Sequence, residues 1–154
     1  MGYSYAHIKP VAQDDLNGCW SASMSWWTKA MHTIENWSDD EIMVEYSHLI
    51  APNGGLRFPS GFRTMLEDSK WRMTVKSVAG PVESVKYVKA GLKKGPVICG
   101  YWDRSVSGYH AVALYNLNKG TIWAMDPNGG KHIARDYYQI FGSLQYPVIL
   151  GFQE

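Results

Sequence analysis

The sequence predicts an α+β fold, with helices in its first half and a mostly antiparallel sheet in its second. Three observations carry this. Apolar residues at 20, 24, 27, 30, 31 and 34 recur at helical spacing. From residue 96 onward, short runs rich in β-branched and aromatic residues alternate with turn signals. The chain has 154 residues, 45% hydrophobic and 19% charged. That is one domain over 1–154, with enough apolar mass for a core and too little charge for disorder.

The elements follow in order. Asn17 can accept from an orphan backbone N–H and so cap a helix running from about Gly18 to Asn36. "SDDE", Ser38 to Glu41, is a capping-box pattern that opens a second helix, stopped by Pro52 and the "NGG" turn. A third short helix is expected over Ser60 to Asp68. "WRMTVKSV" reads as a strand, and "VESVKYVKAGLKK" as an amphipathic helix ended by Gly95-Pro96. "PVICGYW", "YHAVALYNL" and "TIWAMDP" read as strands separated by turns at "SVSG" and "NKG". "NGGKHIARDYYQIFG" is mixed, a loop and a short helix, and "YPVILGF" is the last strand.

Composition excludes several partners and cofactors. Net charge is +1 and no basic cluster exceeds Lys93-Lys94, so nucleic acid is not expected as a partner. No apolar run reaches the roughly 18 to 20 residues that span a membrane, so no membrane is expected either. "MGYSYAHIKPV" lacks the charged and apolar regions of a signal peptide. No HExxH, CxxC or paired Cys/His spacing points to a metal, and neither "NGG" is followed by a phosphate-loop Lys-Ser. No cofactor is expected.

One constellation carries chemistry. Cys19 stands at the first turn of the first expected helix, where exposed N–H groups and the helix dipole favour a thiolate. Gly18 before it lets a substrate approach the backbone closely. A thiolate needs a base. Of five histidines, His7 lies in an end segment, His32 and His48 on helices, and His132 after a Gly-Gly turn. His110 opens an apolar strand after a glycine loop, from which its ring can project into a cleft. If the two following strands form a hairpin centred near residue 118, Asp126 returns to the end where His110 sits. A carboxylate there fixes the imidazole tautomer and stabilises the imidazolium. Each residue alone also has a structural reading: Cys19 as core filler, His110 as a structural strand residue, "DPNGG" as a turn. Their order and matching elements favour the chemical one.

These motifs resemble those of papain-like cysteine peptidases, in particular the compact bacterial kinds, the AvrRpt2-type effector proteases and the peptidase domains of bacteriocin-processing transporters. "QDDLNGCWSAS" is similar to their Gln–Cys–Trp helix start, "GYHAVALYN" to their His strand and "MDPNGG" to their Asp-Pro turn. The resemblance implies a papain-like α+β fold with Cys19 as nucleophile at a helix N-terminus, His110 as general acid and base, and Asp126 as its orienting residue. It also implies that Gln13, six residues before Cys19, donates to the oxyanion hole. The disulfide-bearing Cys-Gly-Ser-Cys-Trp signature of the plant-type enzymes is absent, and only Cys19-Trp20 remains of it.

The expected function is hydrolysis of amide bonds in a protein or peptide substrate. A bacterial effector or toxin domain fits, controlled by an immunity or inhibitor protein, and either exported by a signal-peptide-independent route, delivered into a target cell, or cytoplasmic. The same residues would serve a peptidoglycan amidase, a glutamine deamidase or a transglutaminase-like enzyme, and a silent binding module would keep the fold alone. Trp102 and Tyr109, flanking the loop before His110, are candidate cleft-wall residues beside Gly18. Trp20, Trp26, Trp27 and Trp37 are expected in the core, Asn128 is a second candidate to orient His110, and Cys99 is expected to be inert within its strand.

Overall fold

The computed structural model of the protein describes residues 5–13, 18–31, 34–52 and 55–154. Helix α1 (Cys19–Ala30) is buried along all of its length except at Lys29. It tolerates this because its buried hydroxyls are satisfied. Ser21 donates to the Gly18 carbonyl, Ser23 to Ala111, Ser25 to Trp37 and Thr28 to Ser25. Two of its tryptophans bury their rings and still donate: Trp26 to the Ile8 carbonyl and Trp27 to that of Pro96. Trp20, Trp26 and Trp27 are fully buried.

The helix ends at Ala30, short of the expected Asn36. The chain turns back on itself, so that the Trp37 N–H donates to the Thr28 hydroxyl at 3.0 Å. Met31 and Ile34, which fit the helical period, pack on the core from this return segment instead. The capping box is present as expected. Ser38 caps α2 (Asp39–Glu45) and Glu41 reaches back to the Ser38 N–H. That helix stops at Tyr46, before Pro52, and a 3-10 turn (Ser47–Leu49) follows. Asn53 and Gly54 of the expected stop signal lie outside the described residues. Helix α3 (Ser60–Leu66) stands where expected.

A six-stranded sheet follows: β1 (Met73–Val78), β2 (Val97–Asp103), β3 (Gly108–Asn118), β4 (Thr121–Asp126), β5 (Lys131–Asp136) and β6 (Val148–Gln153), in the order β1-β6-β2-β3-β4-β5. Every pairing is antiparallel. Helix α4 (Gly80–Leu92) joins β1 to β2, and α5 (Tyr137–Phe141) follows β5. Strand β5 corrects the expected loop. It is an edge strand with a single buried residue, Ile133, so it lacks an alternating apolar pattern.

Alternate side chains of the central strands feed two cores. Ile98, Ala111, Ala113 and Ile149 pack under α1, α2 and α3. Val97, Cys99, Val112 and Leu114 pack under α4 and α5. Small residues face α1. A Cβ on Gly100 would stand 2.7 Å from the Phe62 ring, so only glycine admits α3 this close. Among the described residues no helix is long and apolar enough to cross a membrane.

Candidate active site

Cys19 is the first residue of α1, and Gly18 occupies the N-cap position without a side-chain cap. The cap thus falls one residue later than expected, and Asn17 lies outside the described residues. No acidic side chain occupies the first turn. The thiol therefore meets the positive end of the helix uncompensated. Ser23, one turn further, ties α1 to the β3 carbonyl of Ala111, which brings this helix start beside the start of β3.

His110, near that start, places Nε2 2.7 Å from Asp126 Oδ1 at the end of β4. The hairpin centre is Lys119-Gly120, both with positive φ, and not residue 118. From that turn the ladder runs Asn118↔Thr121 to Asn116↔Trp123, and a bulge at Tyr115 then shifts it to Leu114↔Ala124 and Ala113↔Met125. Continuing that register sets Asp126 opposite Val112, with His110 two residues further along the same face. Without the extra residue Asp126 would oppose Ala113 and point to the other face. The bulge is therefore what lets one regular turn and one His–Asp contact coexist on this hairpin.

The contact sets the electrostatics. Burial by itself would pull the His110 imidazole down. The Asp126 hydrogen bond and the charge of the neighbouring Asp126 and Cys19 groups outweigh it, and the imidazole is pushed up to about 10. Burial works against the Asp126 carboxylate too, but the His110 hydrogen bond and charge, with the Asn128 backbone N–H at 3.0 Å, hold it below the usual carboxylate range. Nε2 faces the carboxylate, so Nδ1 is the ring nitrogen left for Cys19. Tyr101, paired with His110 across β2–β3, packs edge-on at 6.0 Å and confines the imidazole. Asn128 acts on Asp126 through its backbone, while its side chain is exposed.

The backbone N–H of Gln13 donates to the Pro127 carbonyl at 2.9 Å, next to Asp126. Residues 14 to 17, between it and Gly18, lie outside the described residues. Tyr109 and Trp102 pair across β2–β3 and, by alternation, point away from the His110 face. Tyr109 stacks on Phe58 at 5.0 Å and donates to the Pro147 carbonyl, while Trp102 stacks on Tyr146 at 3.9 Å. Phe58 and Tyr146 escape sequence reasoning because they come from distant loops and carry no local pattern. Of the other histidines, His7 and His48 are exposed, His132 bonds the Ile8 carbonyl, and His32 lies outside the described residues. Cys99 is wholly buried, which pushes its thiol far up. A cavity of about 510 Å³ lies elsewhere, at the opposite end of β3, lined by Val82, Val85, Lys89, Leu117, Lys119 and Tyr138.

A thiol beside an imidazole whose Nε2 holds a carboxylate can give its proton to the ring and form an ion pair with it. The comparisons with known proteins agree on the scaffold. No protein-family model matches this sequence, and no curated protein sequence matches it. Solved structures do. The peptidase domain of Streptococcus ComA, a bifunctional ABC transporter involved in a quorum-sensing pathway, aligns with a TM-score of 0.67 at 16% identity, over 96% of this chain and 100% of that one. A double-glycine-motif protease from an AMS/PCAT transporter, in complex with its leader peptide, gives 0.59 at 15% identity, over 97% and 94%. A C39-like peptidase from Bacillus anthracis gives 0.60 at 8% identity, over 97% and 96%. At such identities the shared property is the fold. The chain has the α+β fold of compact papain-like cysteine peptidase domains.

Proposed function

We propose that this protein is a cysteine peptidase in which Cys19, His110 and Asp126 act together. The observation that carries the reading is the 2.7 Å His110–Asp126 contact, with Cys19 beside the same buried ring at a helix start. The Cys19 thiolate attacks a carbonyl, and the oxyanion is held by the Cys19 backbone N–H and the Gln13 side-chain amide. His110 protonates the leaving amine and then takes a proton from water to release the acyl group. Asp126 keeps the ring oriented. A peptide substrate is supported by the fold neighbour that binds a leader peptide. Gly18 borders the path of such a chain, and Trp102 and Tyr109, which face away from His110, meet it where it runs on past the start of β3. Action as a delivered effector or toxin, with an inhibitor protein as partner, extends the reading and is supported by the motif resemblance alone.

The test is turnover of a fluorogenic peptide library, Gly-Gly amides included, by wild type, Cys19→Ala and His110→Ala. Loss in both variants is expected, and turnover near wild type in either one overturns the proposal. Should amide-bearing side chains be altered without backbone cleavage, a one-unit mass gain on a target glutamine identifies a deamidase on the same three residues.

A further inference from the structure

The segment carrying Gln13 is strapped to the β4–β5 hairpin at two points. Upstream, the Ile8 carbonyl accepts from His132 Nε2 at 3.0 Å and from Trp26 Nε1 at 3.4 Å. Downstream, the Gln13 N–H donates to Pro127 at 2.9 Å, and Ala12 lies where a Cβ on Gly130 would stand, 2.8 Å from its own Cβ. Gly130 has φ +60 and leaves room for the strap, so glycine is required there twice over. His132 opposes Met125 in the β4–β5 ladder, and Lys131 opposes Asp126. One hairpin therefore holds the carboxylate beside His110 on one side and both anchors of the strap on the other. The His132 ring is itself fixed edge-on against Trp26 and Tyr115, at 6.2 and 5.4 Å. Its Nδ1 is buried without a hydrogen-bond partner, so its hydrogen bonding is committed to Ile8.

We propose that His132 is a positioning residue, which by clamping the Ile8 carbonyl holds the Tyr5–Gln13 strap so that the Gln13 amide stands at the oxyanion site. The proposal rests on the role given to Gln13 above. It assigns work to a histidine that takes no part in proton transfer. It also explains why glycine stands at 130 in the turn after Asp126: a side chain there would meet Ala12 of the strap.

Two reactions of Cys19 separate this role from general damage. Alkylation by iodoacetamide is a displacement at saturated carbon and forms no oxyanion. Acylation by p-nitrophenyl acetate goes through one: the C–S bond forms, the ester C–O bond breaks, and p-nitrophenolate leaves. The ratio of the two rates reads the oxyanion site alone. In His132→Phe, which keeps the ring and loses the donor, acylation is expected to fall on the order of 10-fold with alkylation unchanged. His132→Gln, which restores a donor, is expected to recover most of the loss. Gly130→Ala, which pushes the strap from its other anchor without touching His132, is expected to reproduce it. All three effects should vanish in a Gln13→Ala background, because residues acting through one group are not additive. A loss that persists in that background, or wild-type acylation in His132→Phe, overturns the strap proposal while leaving the role of Gln13 intact. Wild-type acylation in Gln13→Ala itself overturns the role of Gln13, and the strap with it. If His132→Phe does not fold, the Gly130→Ala result decides.

Discussion

His110 Nε2 and Asp126 Oδ1 lie 2.7 Å apart although the two residues are not partners in the β3–β4 ladder. A bulge and a two-residue diagonal offset bring them to one face. Asp126 also accepts from the Asn128 N–H, so its carboxylate is fixed before the ring meets it. Asp126→Ala should therefore lower kcat on the order of 10² to 10⁴-fold while KM moves little, since the ring loses its orientation and not its substrate. Steady-state kinetics on the best-cleaved library peptide check this. A KM effect with kcat preserved would place Asp126 in binding.

The two cysteines should behave as opposites. Cys19 adjoins His110 at a helix start and keeps 6% exposure, whereas Cys99 has none and its thiol is pushed far up by burial. Native protein treated with iodoacetamide near pH 7 should gain one label, mapped by mass spectrometry to Cys19, and His110→Ala should slow that labelling on the order of 10-fold or more. A second label on Cys99 before denaturation would show that its strand opens.

The His110–Asp126 pair also makes stability depend on pH. Asp126, held low, contributes above the unfolded carboxylate value of about 3.9, and that part is lost on acidification through its lowered folded value. His110, pushed up to about 10, contributes fully below the unfolded imidazole value of about 6.5, and its part is lost as pH rises through about 10. The Tm gap between wild type and His110→Ala should thus be widest near pH 5 to 6 and narrow from pH 6.5 to 10. A gap that stays constant across that window would mean that the raised proton affinity of His110 does not stabilise the fold.

Much of this was legible in the residues, for physical reasons that also mark the limit. Ser38 and Glu41 form a capping box through contacts three residues apart, so a local reading finds it. The pairing of His110 with Asp126 follows from one hairpin, and a count about residue 118 reaches the right pair from a displaced centre. Lys119 and Gly120 make the turn, and the Tyr115 bulge, which no local signal announces, takes up part of the difference. Strand β5 was hidden because an edge strand needs only Ile133 in the core. The end of α1 at Ala30 was hidden because Thr28 and Trp37 decide it, nine residues apart, across a reversal. The strap is the most remote case: His132 and Ile8 are 124 residues apart.

A buried network on the α1 side of the sheet gives a stability prediction. The Tyr46 hydroxyl donates to Asp68 at 2.7 Å and accepts from the Trp71 indole N–H at 2.9 Å. Tyr46→Phe keeps the ring and leaves the buried indole N–H without an acceptor, a cost of about 1–3 kcal/mol. Lys70 still holds Asp68, at 2.7 Å, so the loss falls on Trp71. A fall in Tm of roughly 3–10 °C is expected, with Cys19 alkylation unchanged. A silent substitution would mean that water reaches Trp71.

The aromatic layer next to His110 along β2 and β3, on the opposite strand face, should act on long substrates and not on small ones. Trp102 and Tyr109 belong to the two strands that frame His110, and each is only partly buried. Tyr146 backs Trp102 at 3.9 Å and Phe58 backs Tyr109 at 5.0 Å, so the layer is stiff before any ligand arrives. A rigid aromatic face grips an extended chain at little entropic cost. Trp102→Ala removes one such face, and a central aromatic contact is worth more than about 1 kcal/mol in binding. KM for an eight-residue peptide should then rise on the order of 5- to 10-fold, with kcat close to wild type. Acylation by p-nitrophenyl acetate, too short to reach the layer, should keep its rate. Equal losses on both substrates would mean that Trp102 supports the β2–β3 hairpin and, through it, the position of His110.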